Sequence, residues 1–226
     1  MRVHPIRKKL LLPASCDFRF LLERGYPRDS ALKFVGDHYQ LHIQERDILL
    51  RGVFSKKISL KRQKKCLSPI ELKDTHLAID GYNILITLES ALKGRLLILA
   101  DDGFIRDISR VFRSFRPTKL TKDTCWLIFR FLKEVSIKKV SFYLDKPFSK
   151  SGELALKINR WLKEYELTGQ AFTVFSPEAI LKTHHGPVAT ADSIVLDKAK
   201  SLFDLAGYLI IHYIKDKNIL RLDEIF

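Results

Sequence analysis

The sequence predicts an α/β fold, a mostly parallel sheet flanked by helices and preceded by a small helical, basic region. Three observations carry that expectation. Beyond residue 69, the short runs "HLAID", "RLLILAD", "KVSFYLD", "AFTVF" and "GPVATAD" alternate with helical patterns, as βαβ units with right-handed crossovers do. Four of these five runs end in aspartate. Before residue 69 the composition differs: residues 1–68 hold 16 Lys and Arg against 6 Asp and Glu, +10 of a formal net charge of +14.

The start, "MRVHPIRKKLLLPASCDF", has too short an apolar stretch for a signal peptide, whose core needs roughly 7–15 residues. It reads as an ordinary N-terminal segment. Residues 28–52 read as helical, with Ala31, Val35 and Tyr39 at four-residue spacing and Leu32 and Ile43 on neighbouring rows. "QERDILLRGVF" reads as a second short helix. The charged stretch "SKKISLKRQKKCLSP" then separates this part from the rest, which places domains at 1–68 and 69–226. In the second domain "KDTCWLIFRFLKEV" is apolar nearly all round and predicts a sandwiched helix. Leu154, Ile158, Trp161, Leu162 and Tyr165 mark one face of another. "SPEAIL" sets Ser176 at a cap with Pro177 at the first helical position, and "LAGYLIIHYIKD" supplies a late helix.

Composition narrows the function. With 46% hydrophobic and 29% charged residues the chain is globular, and no apolar run reaches the ~18–20 residues of a membrane span. Cys16, Cys66 and Cys125 are dispersed and form neither a zinc nor a disulfide pattern, which favours a reducing cytoplasm. No Walker A string and no G-x-S-x-G occurs. His184 and His185 of "THHGP" read as loop surface. The basic excess points to a polyanion, because each phosphate neutralised by Lys or Arg releases counterions. Lys56, Lys57, Lys61, Arg62, Lys64 and Lys65 are its densest part. Lys146, Ser149, Lys150 and Ser151 in "KPFSKSGE" form a second candidate phosphate contact at a helix start.

The strand-end acids carry the chemistry. In a parallel sheet Asp80, Asp101, Asp102, Asp145 and Asp192 would share one edge, and clustered carboxylates stay ionised beside a divalent cation. Mg²⁺ or Mn²⁺ suits such oxygen ligands and activates water for attack on a phosphodiester. Each acid also has a local reading: Asp192 as a helix cap, Asp145 as a turn opener, Asp102-Gly103 as a turn dipeptide.

"AIDGYNIL" resembles the first motif of PIN-like nucleases of the NYN type, and "FYLD" and "VATADSIVLD" resemble later acidic motifs. The resemblance covers residues 74–226. The whole chain is also similar to a largely archaeal two-part family of unknown function. What the PIN-like resemblance implies is a PIN-like Rossmannoid parallel sheet flanked by helices and a metal-dependent endoribonuclease, with Asp80, Asp145 and Asp192 as ligands, Asn83 orienting the first and Asp197 at the site or just behind it. PIN-like proteins usually take their second acid from a helix. Here Asp102 is the first choice, Asp101 its neighbour, and Asp107 the alternative if a helix begins at Gly103. The expected partner is nucleic acid, RNA in the first instance. The rival reading is an inactive PIN-like protein that binds nucleic acid or assembles a complex.

Overall fold

A computed structural model describes residues 5–109, 115–146, 148, 150–215 and 218–221. Its helices in chain order are α1 (Lys8–Glu23), α2 (Arg28–His38), α3 (Ile43–Gly52), α4 (Lys56–Gln63), α5 (Gly81–Leu92), α6 (Lys119–Glu134), α7 (Ser151–Glu164), α8 (Pro177–Leu181), α9 (Ser193–Lys198) and α10 (Leu205–Leu209). Its strands are β1 (His76–Asp80), β2 (Leu97–Leu99), β3 (Ile105–Asp107), β4 (Lys139–Asp145), β5 (Gly169–Val174), β6 (Val188–Ala189) and β7 (Ile219–Arg221). The chain divides into two units: residues 1–64 with 96–108 and 219–226, and residues 65–95 with 109–218.

In the first unit α1, α2 and α3 bury Leu11, Ala14, Phe18, Ala31, Val35, Ile48 and Leu49 in one core with Ile98 and Ile108. From Lys8 on, the segment expected to be an ordinary N-terminal one is thus a core helix. The helical reading of 28–52 divides at Gln40, whose positive φ of 47° turns the chain between α2 and α3, and Ile43 is exposed. The charged stretch expected as a separator folds as α4. Its Arg62 points inward and is only 2% exposed.

The largest departure concerns "RLLILAD". Its strand β2 pairs antiparallel with β3 and parallel with β7, in a sheet of its own. The reason is local. Gly103, at φ +85°, lets Ala100–Phe104 close a tight turn, with the Gly103 N–H donating to the Ala100 carbonyl. The chain therefore doubles back as a hairpin instead of crossing over. Asp107 lies on strand β3, not on a helix starting at Gly103.

The second unit holds a parallel sheet of order β5-β4-β1-β6 flanked by helices. In β1, Leu77, Ala78 and Ile79 are fully buried, as a strand covered on both faces requires. Asp80 pairs in register with Tyr143 and Asp145 with Val174, while Ile79 lies beside Ala189. From β1 the chain steps outward through β4 to β5, then returns to the far side of β1 as β6. That reversal makes the carboxyl ends of β1 and β6 a switch point, where open parallel sheets bind ligands. Helix α6 is less enclosed than its sequence predicts. Its Ile128, Phe129, Phe131 and Leu132 are buried, while Trp126 is 43% exposed.

Candidate active site

Helix α5 follows β1 without a spacer, and the motif "DGYN" occupies the junction. A Cβ on Gly81 would stand 2.5 Å from Leu144 Cδ2 and 3.0 Å from the Tyr143 carbonyl oxygen. Glycine is therefore needed for α5 to start against β4. From Gly81 to Ala91 every residue of α5 is buried except Asn83, which is half-buried. Its side chain lines a cavity of about 220 Å³ at the carboxyl edge of the sheet, together with Asp80, Asp145, Asp192, Phe175, Ser176, Pro177, Glu178 and Val195. Among the described residues the lining holds four carboxylates and no basic side chain.

Each acid arrives by its own route. Asp80 ends β1, and its Oδ2 accepts a hydrogen bond from Thr190 Oγ1 at 2.8 Å. Thr190 Oγ1 also accepts from the Asp192 N–H at 3.1 Å, so one hydroxyl links two of the acids. Asn83 Oδ1 accepts from the Ala191 N–H at 2.9 Å. Asn83 thereby holds the loop that carries Asp192, and its backbone amide donates a hydrogen bond to Asp80. Asp192 caps α9, its Oδ1 accepting from the Ile194 and Val195 N–H groups at 2.9 and 3.1 Å, as its local sequence reading anticipated. Asp145 ends β4 and is half-buried.

The electrostatics follow from this crowding. Burial first, then the charges of Asp192 and Asp145, push the Asp80 carboxyl up to about 7, although the Thr190 hydroxyl and the Asn83 backbone amide pull the other way. Burial likewise raises the Asp145 carboxyl above its ordinary value. A basin of oxygen ligands with unbalanced negative charge has the donor chemistry of a hard divalent cation. Among the described residues, however, no group of three or more His, Cys, Asp or Glu side chains stands as a ready-made metal cage. A cation would bind these acids partly through water or draw them inward.

Residues 69–208 match the family described as Domain of unknown function (DUF5616), and residues 10–65 match Protein of unknown function (DUF434). The chain belongs to the DUF5616 family. It is 36% identical over 204 residues, 89% of this chain and 96% of the relative, to an uncharacterized protein, MJ0935, of Methanocaldococcus jannaschii. No solved structure matches it at a significant level. The DUF5616 match spans β1 to β6, so every residue lining the acid cavity falls inside it. The DUF434 match covers most of α1 to α4.

The remaining expected site residues are placed differently. Asp101 and Asp102 belong to the first unit, outside the DUF5616 cavity lining. Asp101 accepts from Arg19 Nε and Nη2 at 2.9 and 2.7 Å and from the Phe54 N–H at 2.9 Å. Asp102 is fully buried and holds Arg62 and Arg106, each at 2.7 Å. The guanidiniums of Arg28, Arg62 and Arg106 gather on the Phe54 ring at 4.5, 4.3 and 5.1 Å. Burial, and the charges of Arg62 and Arg106, lower Arg28 to about 10. Asp102 is thus the anion of an internal arginine cluster, not a fourth acid of the cavity. Asp197 sits on α9 outside the lining, and Asp107 lies in the first unit.

Of the basic candidates, Arg62 is taken into the core, and Lys65 Nζ donates to the Leu196 and Ala199 carbonyls at the end of α9, the longer bond at 2.9 Å. Lys56, Lys57, Lys61 and Lys64 remain exposed, as do Lys146 and Lys150. Ser149 lies outside the described residues. Ser151 Oγ donates to the Lys146 carbonyl at 3.1 Å. Sequence reasoning missed Thr190, Glu178 and Phe175. Thr190, two residues before Asp192, had a visible signal in the small-residue run "VATAD". Glu178 and Phe175 had none, since they reach the site only through the pairing of β5 with β4. Among the described residues no helix is long and apolar enough to cross a membrane.

Proposed function

We propose that this chain is a metal-dependent nuclease of the PIN-like type, an endoribonuclease that hydrolyses phosphodiester bonds at the acid cavity. The observation that supports it most is the gathering of Asp80, Asp145 and Asp192, with Asn83, around one polar cavity at the switch point of a parallel sheet. The residues that would hold Mg²⁺ or Mn²⁺ are Asp80, Asp145 and Asp192, with Glu178 on the same wall. When bound, such an ion supplies a water of lowered pKa and a positive charge opposite the developing phosphorane oxygens. The chain's own part is positional. Thr190 fixes the Asp80 carboxylate, Asn83 fixes the Asp192 loop, and a lining without lysine or arginine among the described residues leaves the acids' charge to be met by the cation. The exposed Lys57 and Lys61 on α4 and Lys64 at its C-terminal cap, at helical spacing, would hold phosphates without reading bases.

A second reading is an inactive PIN-like protein that binds nucleic acid or assembles a complex. The pre-formed cap of Asp192 and the lack of a ready metal cage among the described residues favour it. Cleavage separates the two. Full-length protein with unstructured RNA and Mn²⁺ should cut, EDTA should stop it, and Asp80→Asn should lower the rate by orders of magnitude with RNA binding retained. Tight RNA binding without cleavage in any divalent metal would establish the second reading.

A further inference from the structure

Beside the acids, the same cavity carries a large aromatic ring that the fold leaves in solvent. Phe175 is 76% exposed and lines the cavity together with the acids. Its backbone is not loose. It follows the last residue of β5, and the next residue, Ser176, caps α8 by accepting from the Ala179 N–H at 3.2 Å, with Pro177 at the first helical position. The ring is therefore held between a strand end and a capped helix start.

Its neighbour is set by sheet register. Asp145 pairs with Val174, and the Lys146 N–H donates to the Val174 carbonyl at 2.8 Å, extending the ladder by one step. Lys146 and Phe175 leave adjacent parallel strands side by side, and the ammonium stands 4.5 Å from the ring centroid. A cation beside a ring that is 76% exposed is the arrangement of a stacking platform: the ammonium meets the backbone charge of a nucleic acid, and the exposed ring meets a base. Asp145, at the cavity wall, immediately precedes this lysine, so a base on Phe175 would bring its own phosphate toward the carboxylates.

We infer that Phe175, backed by Lys146, is a stacking platform for one unpaired base of a single-stranded nucleic acid whose adjacent phosphodiester enters the acid cavity. This deepens the nuclease reading and rests on it for the placement of the phosphate. A paired base offers no free face, so the platform selects single strands, and it does so with little sequence preference because every base has a π-face.

The test measures binding, not cleavage. Full-length protein is titrated in Ca²⁺, and again in EDTA, with a labelled single-stranded oligonucleotide and with the same oligonucleotide carrying abasic positions throughout its central segment. The base-bearing strand should bind the native protein more tightly than the abasic one. Phe175→Ala should weaken the base-bearing strand about tenfold, the scale of one lost base stack, and leave the abasic strand within about twofold. Phe175→Trp should restore the preference, with indole quenching by the base-bearing strand alone. Equal affinity for both strands, equal loss on both in Phe175→Ala, or no binding of either strand would overturn the inference. Base-selective loss in a protein that cleaves nothing would leave the platform standing and remove the nuclease reading. Cleavage with no base preference would do the reverse.

Discussion

Replacing Asp80 with asparagine in the metal-free protein should stabilise it, and the gain should depend on pH in a way that the structure fixes. The carboxyl has an ordinary value of 3.8 and is held at about 7 in the fold, by burial first and by Asp192 and Asp145 after it. For an acid raised in this way the sign is unfavourable. Below pH 3.8 the group is neutral in both states and nothing is lost. Between 3.8 and 7 the unfolded chain gives up its proton first, so stability falls as pH rises. Above 7 the full penalty is present. At ~1.4 kcal/mol per pKa unit that penalty is about 4 kcal/mol, reduced to about 2–3 kcal/mol because the cavity admits water. Asparagine keeps the shape, remains neutral and still offers Thr190 an acceptor. In EDTA, melting temperatures of the two proteins should therefore be close at pH 4.5 and separate by about 4–12 °C in favour of Asp80→Asn at pH 8. Added Mn²⁺ should narrow the gap at pH 8 by stabilising the native protein alone. A difference independent of pH, or a variant less stable at pH 8, would refute the argument.

Asp102→Ala should destabilise the first unit by about 3–5 kcal/mol in urea unfolding, since it strands Arg62 and Arg106 in the interior. The native Asp102 carboxyl lies below its ordinary value despite its burial, drawn down by Arg106 and Arg62. Its contribution is therefore complete above pH 3.8 and is lost as pH falls through the folded value. Gly81→Ala should cost about 1–3 kcal/mol by forcing α5 off Leu144 and Tyr143, read by the same unfolding measurement. Changing Lys57, Lys61 and Lys64 to alanine should flatten the plot of log K for single-stranded RNA against log salt by about 2, near 0.7 for each lost phosphate contact. An unchanged slope would show that α4 does not touch the strand.

These outcomes bear on what the sequence could convey. The β1–α5 junction was readable because each residue there answers a local demand: an unbroken apolar strand, a glycine where a Cβ would strike β4, and one polar residue on a buried helix. Strand existence was readable for "RLLILAD" as well, but its partners were not. Alternation and β-propensity say that a segment extends and leave open what it pairs with. The Asp102-Gly103 dipeptide that makes it a hairpin also reads as a simple loop. The basic run shows the same limit for charge. Composition counted Arg62 and Lys65 with their neighbours, whereas the fold sends one to Asp102 and the other to the end of α9. Thr190 and Phe175 matter through contacts across strands, which one chain read in order does not reveal.

In the proposed nuclease the acid cavity takes a divalent cation through Asp80, Asp145 and Asp192. Titration of Mn²⁺ into full-length protein at pH 8, with free Mn²⁺ followed by electron paramagnetic resonance, tests this. The native protein should bind one or two ions saturably, with binding lost or weakened at least tenfold in Asp80→Asn and in Asp145→Asn, and unaffected in Asp107→Asn. Binding that is absent, or that survives both cavity substitutions unchanged, would contradict it.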